Sequence, residues 1–113
     1  MATTLKISNG TTTSPAFALG GFELVGIACP TITGASISVL VSSDNGSTFQ
    51  TLVTDSTGSG AAGAYTVLPA ASTGNVYVAI NSAYFLGVDY FQLVSSASQG
   101  ADRTFTLHFR AKA

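Results

Sequence analysis

Thr104-Phe105-Thr106-Leu107-His108-Phe109-Arg110-Ala111 is apolar at every second position. Side chains on a strand point to opposite faces in turn. Phe105, Leu107, Phe109 and Ala111 therefore meet a core, while Thr104, Thr106, His108 and Arg110 face away from it. The period is two, not 3.6, and it recurs upstream. Ile37, Val39 and Val41 alternate with Ser36, Ser38 and Leu40, and Val76, Val78 and Ile80 alternate with Asn75, Tyr77 and Ala79. Leu5 and Ile7 flank Lys6 in the same way. Residues 22–28, 48–54, 64–68 and 90–95 also read as strands. No window is long enough, and free enough of Gly, Ser and Thr, to predict a helix.

Turn-forming clusters separate these runs: Asn9-Gly10, Gly20-Gly21, Asp44-Asn45-Gly46, and residues 58–63, 72–74 and 96–100. Gly and Asn accept the positive φ of tight turns, and Ser and Thr bond locally to the backbone. The expectation is an all-β fold, one domain over residues 1–113, built as a single β-sandwich of about eight short antiparallel strands. Eight strands suit a jelly roll, but strand count leaves the connectivity open. Residues 1–15 are expected as a flexible N-terminal arm. Residues 11–15 and 54–63 are low in complexity and could order against a partner.

The chain carries little charge. Four Lys/Arg and five Asp/Glu make 8% of its 113 residues, against a usual share of about 25%. Its polarity comes from 15 Thr and 14 Ser, set among 12 Gly and 16 Ala. Hydroxyls lose far less than ions when taken out of water, so such a surface is easily buried against a neighbour. The same composition equally suits a small β domain with no special partner. A net charge of −1 gives no basic stripe for phosphates, so nucleic acid is not an expected partner. No apolar run reaches the length of a membrane span, and residues 1–9 lack the apolar stretch of a secretory signal. Cys29 is the sole cysteine, which excludes an internal disulfide and a thiolate metal cluster.

The sharpest local signal is Ser42-Ser43-Asp44-Asn45-Gly46-Ser47-Thr48-Phe49. It fits S-x-D-x-G-x-[TS]-[WF] and resembles the Asp box, a hairpin motif of sialidases and many other β proteins. Asp44 is expected to accept the turn's N–H groups, Gly46 to turn left-handed, and Phe49 to pack beneath. Ser42 and Thr48 complete the pattern. The motif marks a hairpin rather than a reaction: a sialidase needs several copies and an arginine cluster, and this chain has one copy and two arginines.

No catalytic, cofactor or metal site is predicted. His108 is the only histidine and lies opposite the core, and no serine sits in a G-x-S-x-G elbow. Glu23, Asp44, Asp55, Asp89 and Asp102 show no acid/base pairing and no D-x-D-x-D-G calcium loop. Cys29-Pro30 is expected just after a strand, with the thiol buried. One asymmetry remains. Arg103, Arg110 and Lys112 hold three of the four cationic charges within the last eleven residues. His108, Arg110 and Lys112 share one face, which would serve cross-strand pairing, an acidic docking surface or protection of a sheet edge.

Three segments complete the pattern: residues 76–80 (VYVAI), residues 85–95 (FLGVDYFQLVS) and residues 98–107 (SQGADRTFTL). Together with the hairpin they resemble a family of small tailed-bacteriophage virion proteins. There an S-x-D-G-G-x-[TF]-type hairpin precedes an F-x-G-x-x-[YF]-[IFV]-x-[LI]-x-S strand and an A-D-R-x-[IFL]-x-[LV] strand. The resemblance spans residues 34–110, and Ala101-Asp102-Arg103 is its most distinctive piece. Asn45 stands where Gly is common, and Asn also takes positive φ. The resemblance implies a β-sandwich cement or decoration protein on the capsid surface of the virion, assembled in the host cytoplasm. It implies a homo-oligomer, with a trimer favoured, that clamps the major capsid protein without cofactor or catalysis. A tail, fibre or baseplate accessory would use the same fold. A carbohydrate-binding adhesin is a further alternative, with Tyr65, Tyr77, Tyr84 and Tyr90 as sugar platforms.

Overall fold

A computed structural model describes residues 2–52, 65–68, 74–85 and 87–111. Along them run β1 (Ala2–Ile7), β2 (Phe17–Ala18), β3 (Phe22–Thr31), β4 (Ile37–Ser42), β5 (Gln50–Thr51), β6 (Thr66–Leu68) and β7 (Gly74–Ala79). A 3-10 turn (Ser82–Phe85), β8 (Tyr90–Ser95) and β9 (Arg103–Ala111) follow. One sheet has the order β1-β9-β3-β7 and the other β2-β8-β4-β5, with β6 also on β4. The all-β sandwich read from the sequence is the fold observed.

Nine strands fill eight positions. Gln50 and Thr51 oppose Val41 and Leu40, and Thr66 and Leu68 then oppose Ser38 and Ile37. β5 and β6 are thus two pieces of one edge strand, joined where the Tyr65 amide donates to the Leu52 carbonyl at 2.7 Å. The pairing is nested: β1 with β9, β2 with β8, β3 with β7, and β4 with β5 and β6. This is the connectivity of a jelly roll, which strand counting alone had left open.

The core lies between the sheets. Ile7, Leu24, Ile27, Ile37, Val39, Phe91, Leu93, Phe105 and Leu107 are almost wholly excluded from solvent. Phe17 on β2 ties the layers together. It stacks on Phe109 of the opposite sheet at 5.2 Å and 10°, and meets Phe91 edge-on at 5.8 Å. Phe85, delivered by the 3-10 turn, meets Phe91 at 6.0 Å. Such ring pairs add about 0.5–1.5 kcal/mol each beyond the area they bury.

Four sequence expectations need correcting. The flexible arm expected over residues 1–15 instead contains β1, paired with β9 along its whole length. Past β1, Ser14 is buried, and its amide donates to the Leu93 carbonyl at 2.9 Å. Leu5 and Ile7 bury too much apolar surface for that segment to stay free. Cys29-Pro30 lies inside β3, not after it. The β9 ladder on β3 ends at Ala28, so Pro30 removes no ladder donor there. Val76 lies on the same face as Val78 and Ile80 but is 45% exposed rather than buried, at the outer end of an edge strand. The short 3-10 turn was not read at all. Residues 53–64, 69–73 and 112–113 lie outside the described residues, and with them Asp55, Lys112 and most of two expected turns.

Candidate docking surface

The hairpin at residues 42–49 joins β4 to β5, and Ser42, Asp44, Gly46 and Thr48 bond to one another within it. Ser42 is 1% exposed. Its hydroxyl donates to Asp44 Oδ1 at 2.8 Å and accepts the Gly46 amide at 2.9 Å. The same Oδ1 accepts the Thr48 amide at 2.9 Å. Asn45 and Gly46 both take positive φ, 62° and 86°. These bonds favour the ionised carboxylate, so Asp44 is held below its usual pKa, by the Ser42 hydroxyl first and the Thr48 amide second. The ring against Gly46 is Tyr90, while Phe49 is only half-buried. Asp89 fastens the hairpin sideways: its Oδ2 accepts the Asn45 amide at 3.1 Å, and its own amide donates to the Ser42 carbonyl. An open cleft of about 340 Å³ between Ala18, Gly20, Asn45, Asp89 and Tyr90 lies beside it. The motif residues hold a turn, and the carboxylate they surround is already committed.

The opposite end of the sandwich is closed by the Ser-Gln-Gly-Ala-Asp-Arg segment. Gln99 is 3% exposed, and its amide group pairs with the Thr33 backbone: it accepts the Thr33 N–H at 2.8 Å and donates to the Thr33 carbonyl at 3.0 Å. The Gln99 carbonyl accepts the Gly10 amide. Asp102 accepts the Asn9 amide at 2.8 Å and faces Lys6 at 3.5 Å. The Asn9 bond first, and the Lys6 charge second, hold its carboxyl below the usual range. Arg103 donates to the Thr33 hydroxyl at 3.3 Å. Gln99 and Thr33 were missed in the sequence, because nothing local to either announces a partner 66 residues away.

Between the two ends lies the outer face of the β1-β9-β3-β7 sheet. Cross-strand registers place Thr4, Thr106, Ala28 and Tyr77 in one row, and Ala2, His108, Gly26 and Ala79 in the next. These residues are small or hydroxyl-bearing except for two rings. Tyr77 lies across Gly26, where a Cβ would collide with its hydroxyl and ring, and its centroid is 5.4 Å from that of His108. Glycine at 26 thus lets a 57% exposed tyrosine lie flat on the sheet. Of the predicted interface residues, His108 and Arg110 do share this face. Arg110 meets Glu23 in the directly opposed register position and also donates to the Ser82 hydroxyl at 3.0 Å. It is therefore a cross-strand partner that neutralises a buried carboxylate. Tyr65 and Tyr84 pair with each other at 5.1 Å, which leaves Tyr77 as the most exposed tyrosine of the four proposed platforms.

No group of three His, Cys, Asp or Glu that could hold a metal ion occurs among the described residues. Burial pushes the Cys29 thiol up to about 11, so little thiolate exists at neutral pH. Comparison with protein-family models, curated proteins and solved structures finds no match to this chain.

Proposed function

We propose that this chain is a structural, non-catalytic component of a bacteriophage particle: a cement or decoration protein that binds the assembled shell of major capsid protein and stabilises it. The carrying observation is the resemblance over residues 34–110, above all Ala101-Asp102-Arg103. In this fold those positions form the clamp on Asn9 and Thr33, so the pattern corresponds to a structural unit of the sandwich. The two central rows of the outer face, free of Lys, Arg, Asp and Glu, support the reading, since small and hydroxyl side chains are buried against a neighbour at little desolvation cost. A ligand that binds only the assembled shell stabilises it by mass action, and many weak contacts on a lattice add through avidity.

Co-sedimentation with shells stripped of the chain tests this. Saturable binding at a fixed ratio to the major capsid protein, with a rise in shell melting temperature, is the expected result. Absence of binding rejects the shell as partner and transfers the weight to a tail, fibre or baseplate role, which immunogold labelling of virions would locate. The exposed Tyr77 ring favours one second reading, an adhesin that stacks the ring on a sugar. A glycan array with no bound sugar rejects it.

A further inference from the structure

The two edges of the β1-β9-β3-β7 sheet differ, and among the described residues the β7 edge is open. No strand pairs with β7 on its far side among the described residues. The Ile80 amide donates to the Val25 carbonyl at 3.0 Å, which sets the direction of the backbone groups along β7. Backbone groups alternate along a strand. Val76, Val78 and Ile80 therefore point their N–H and C=O groups at β3, while Tyr77 and Ala79 point theirs away from the sheet. Gly74 and Asn75, with φ of 82° and 56°, turn the chain just before this stretch. The extended edge is thus residues 76–80. It carries no Pro and no charge, and Val76 and Tyr77 are among the most exposed large apolar side chains of the molecule.

We propose that the β7 edge pairs antiparallel with the β7 edge of a second copy across a two-fold axis at Val78. In that register Tyr77 opposes Ala79 of the other copy, and Ala79 opposes Tyr77. Each of the two pairs exchanges both hydrogen bonds, roughly four in all. A bulky ring meets a methyl on the outer face, and Val76 meets Ile80 on the inner one. A two-fold axis sets a strand against its own copy, so any charge on it would meet the same charge. Residues 74–85 carry no Lys, Arg, Asp or Glu, so this edge meets its copy without that repulsion. The contact is short. It buries less than the roughly 1,200 Å² of a stable interface, so the pair is weak in dilute solution and forms where copies are held side by side. The pairing stands independently of the proposed function, and it yields a two-fold pair rather than the trimer that the resemblance implies.

Sedimentation equilibrium from micromolar to millimolar chain, with three variants, tests the pairing. Ala79→Pro deletes an outward donor and leaves the β3 ladder intact. Val78→Cys places two thiols about 4.5 Å apart by Cα across the axis, within disulfide reach. Thr4→Pro makes the matched change on β1. The parent is expected to approach twice the chain mass, and Val78→Cys to form a disulfide-linked dimer on mild oxidation. Ala79→Pro should weaken association by about tenfold or more while Thr4→Pro leaves it unchanged. A parent that stays monomeric, with Val78→Cys failing to cross-link, overturns the proposal. So does a dimer or trimer that Ala79→Pro does not affect. If stripped shells bind the monomeric parent and reject Ala79→Pro, the edge receives a strand of the shell. Self-pairing then fails while the proposed function stands.

Discussion

β1 and β7 are the two edges of one sheet, yet they are finished differently. β1 buries Leu5 and Ile7, carries Lys6, and has its far end tied down by Asp102 on Asn9 and Gln99 on Gly10. A lysine on an edge strand deters pairing with a stray strand. β7 carries no charge, exposes Val76 and Tyr77, and has no strand beyond it among the described residues. An unpaired edge without such a guard invites another strand, and the proposed pairing of two copies would cover it. On that proposal the surface for assembly is recognised by which protection is missing, since neither edge holds a reactive group.

The sharpest way to test the contrast is to truncate one inward side chain on each edge. Ile7→Ala should cost about 2–5 kcal/mol in urea unfolding, because Ile7 is fully buried and its loss leaves a cavity. Val76→Ala should cost under about 1 kcal/mol, as expected of a side chain already half in water. Equal losses at the two positions would erase the distinction.

Gln99→Ala comes next, at about 2 kcal/mol, since it leaves the Thr33 N–H and carbonyl without their partner in a nearly dry position. Amide exchange at Asn9 and Gly10 should quicken in that variant while Tyr77 and Ala79 stay as they were. Loosening at β7 instead would mean that the edges are not independent.

A smaller effect follows from pH. Asp102 has its pKa lowered by the Asn9 amide and by Lys6. A depressed carboxyl stabilises the fold above its unfolded pKa, about 3.9, and that contribution is lost as pH falls through the lower folded value. Stability of the parent should therefore drop more below about pH 4 than that of Asp102→Asn, as read from thermal midpoints. Asp44 contributes the same trend at the other end of the sandwich and is common to both proteins. Parallel pH profiles would remove Asp102 from the β1 clamp.

The smallest expected change is in the stability of Val76→Lys. A guard placed on the bare edge should alter the unfolding free energy by no more than about 0.5 kcal/mol. Its effect belongs in association instead, where each copy would present a charge beside its neighbour's strand.

Much of this was legible in the chain. The alternation of Phe105, Leu107 and Phe109, and of Ile37 and Val39, gave the strands and their inward faces, because a half-buried strand must alternate. Asp44 and Gly46 could be placed because their own bonds to Ser42 and Thr48 lie within a few residues. The nesting of strands could not be read, since β1 pairs with β9 across the whole length of the chain. Val76 looked like its neighbours Val78 and Ile80, yet it is exposed at the outer end of the strand while Ile80 is buried. The Gln99 clamp and the seat of Tyr77 on Gly26 were hidden for the same reason. Each needs two segments brought together by the fold.

The most direct test is residue-resolved amide exchange in dilute and in concentrated protein, comparing Tyr77 and Ala79 with Thr4 and Lys6. If β7 edges pair, Tyr77 and Ala79 exchange freely when dilute and are protected when concentrated, while Thr4 and Lys6 do not change. Protection at β1, at both edges equally, or at neither would contradict the pairing.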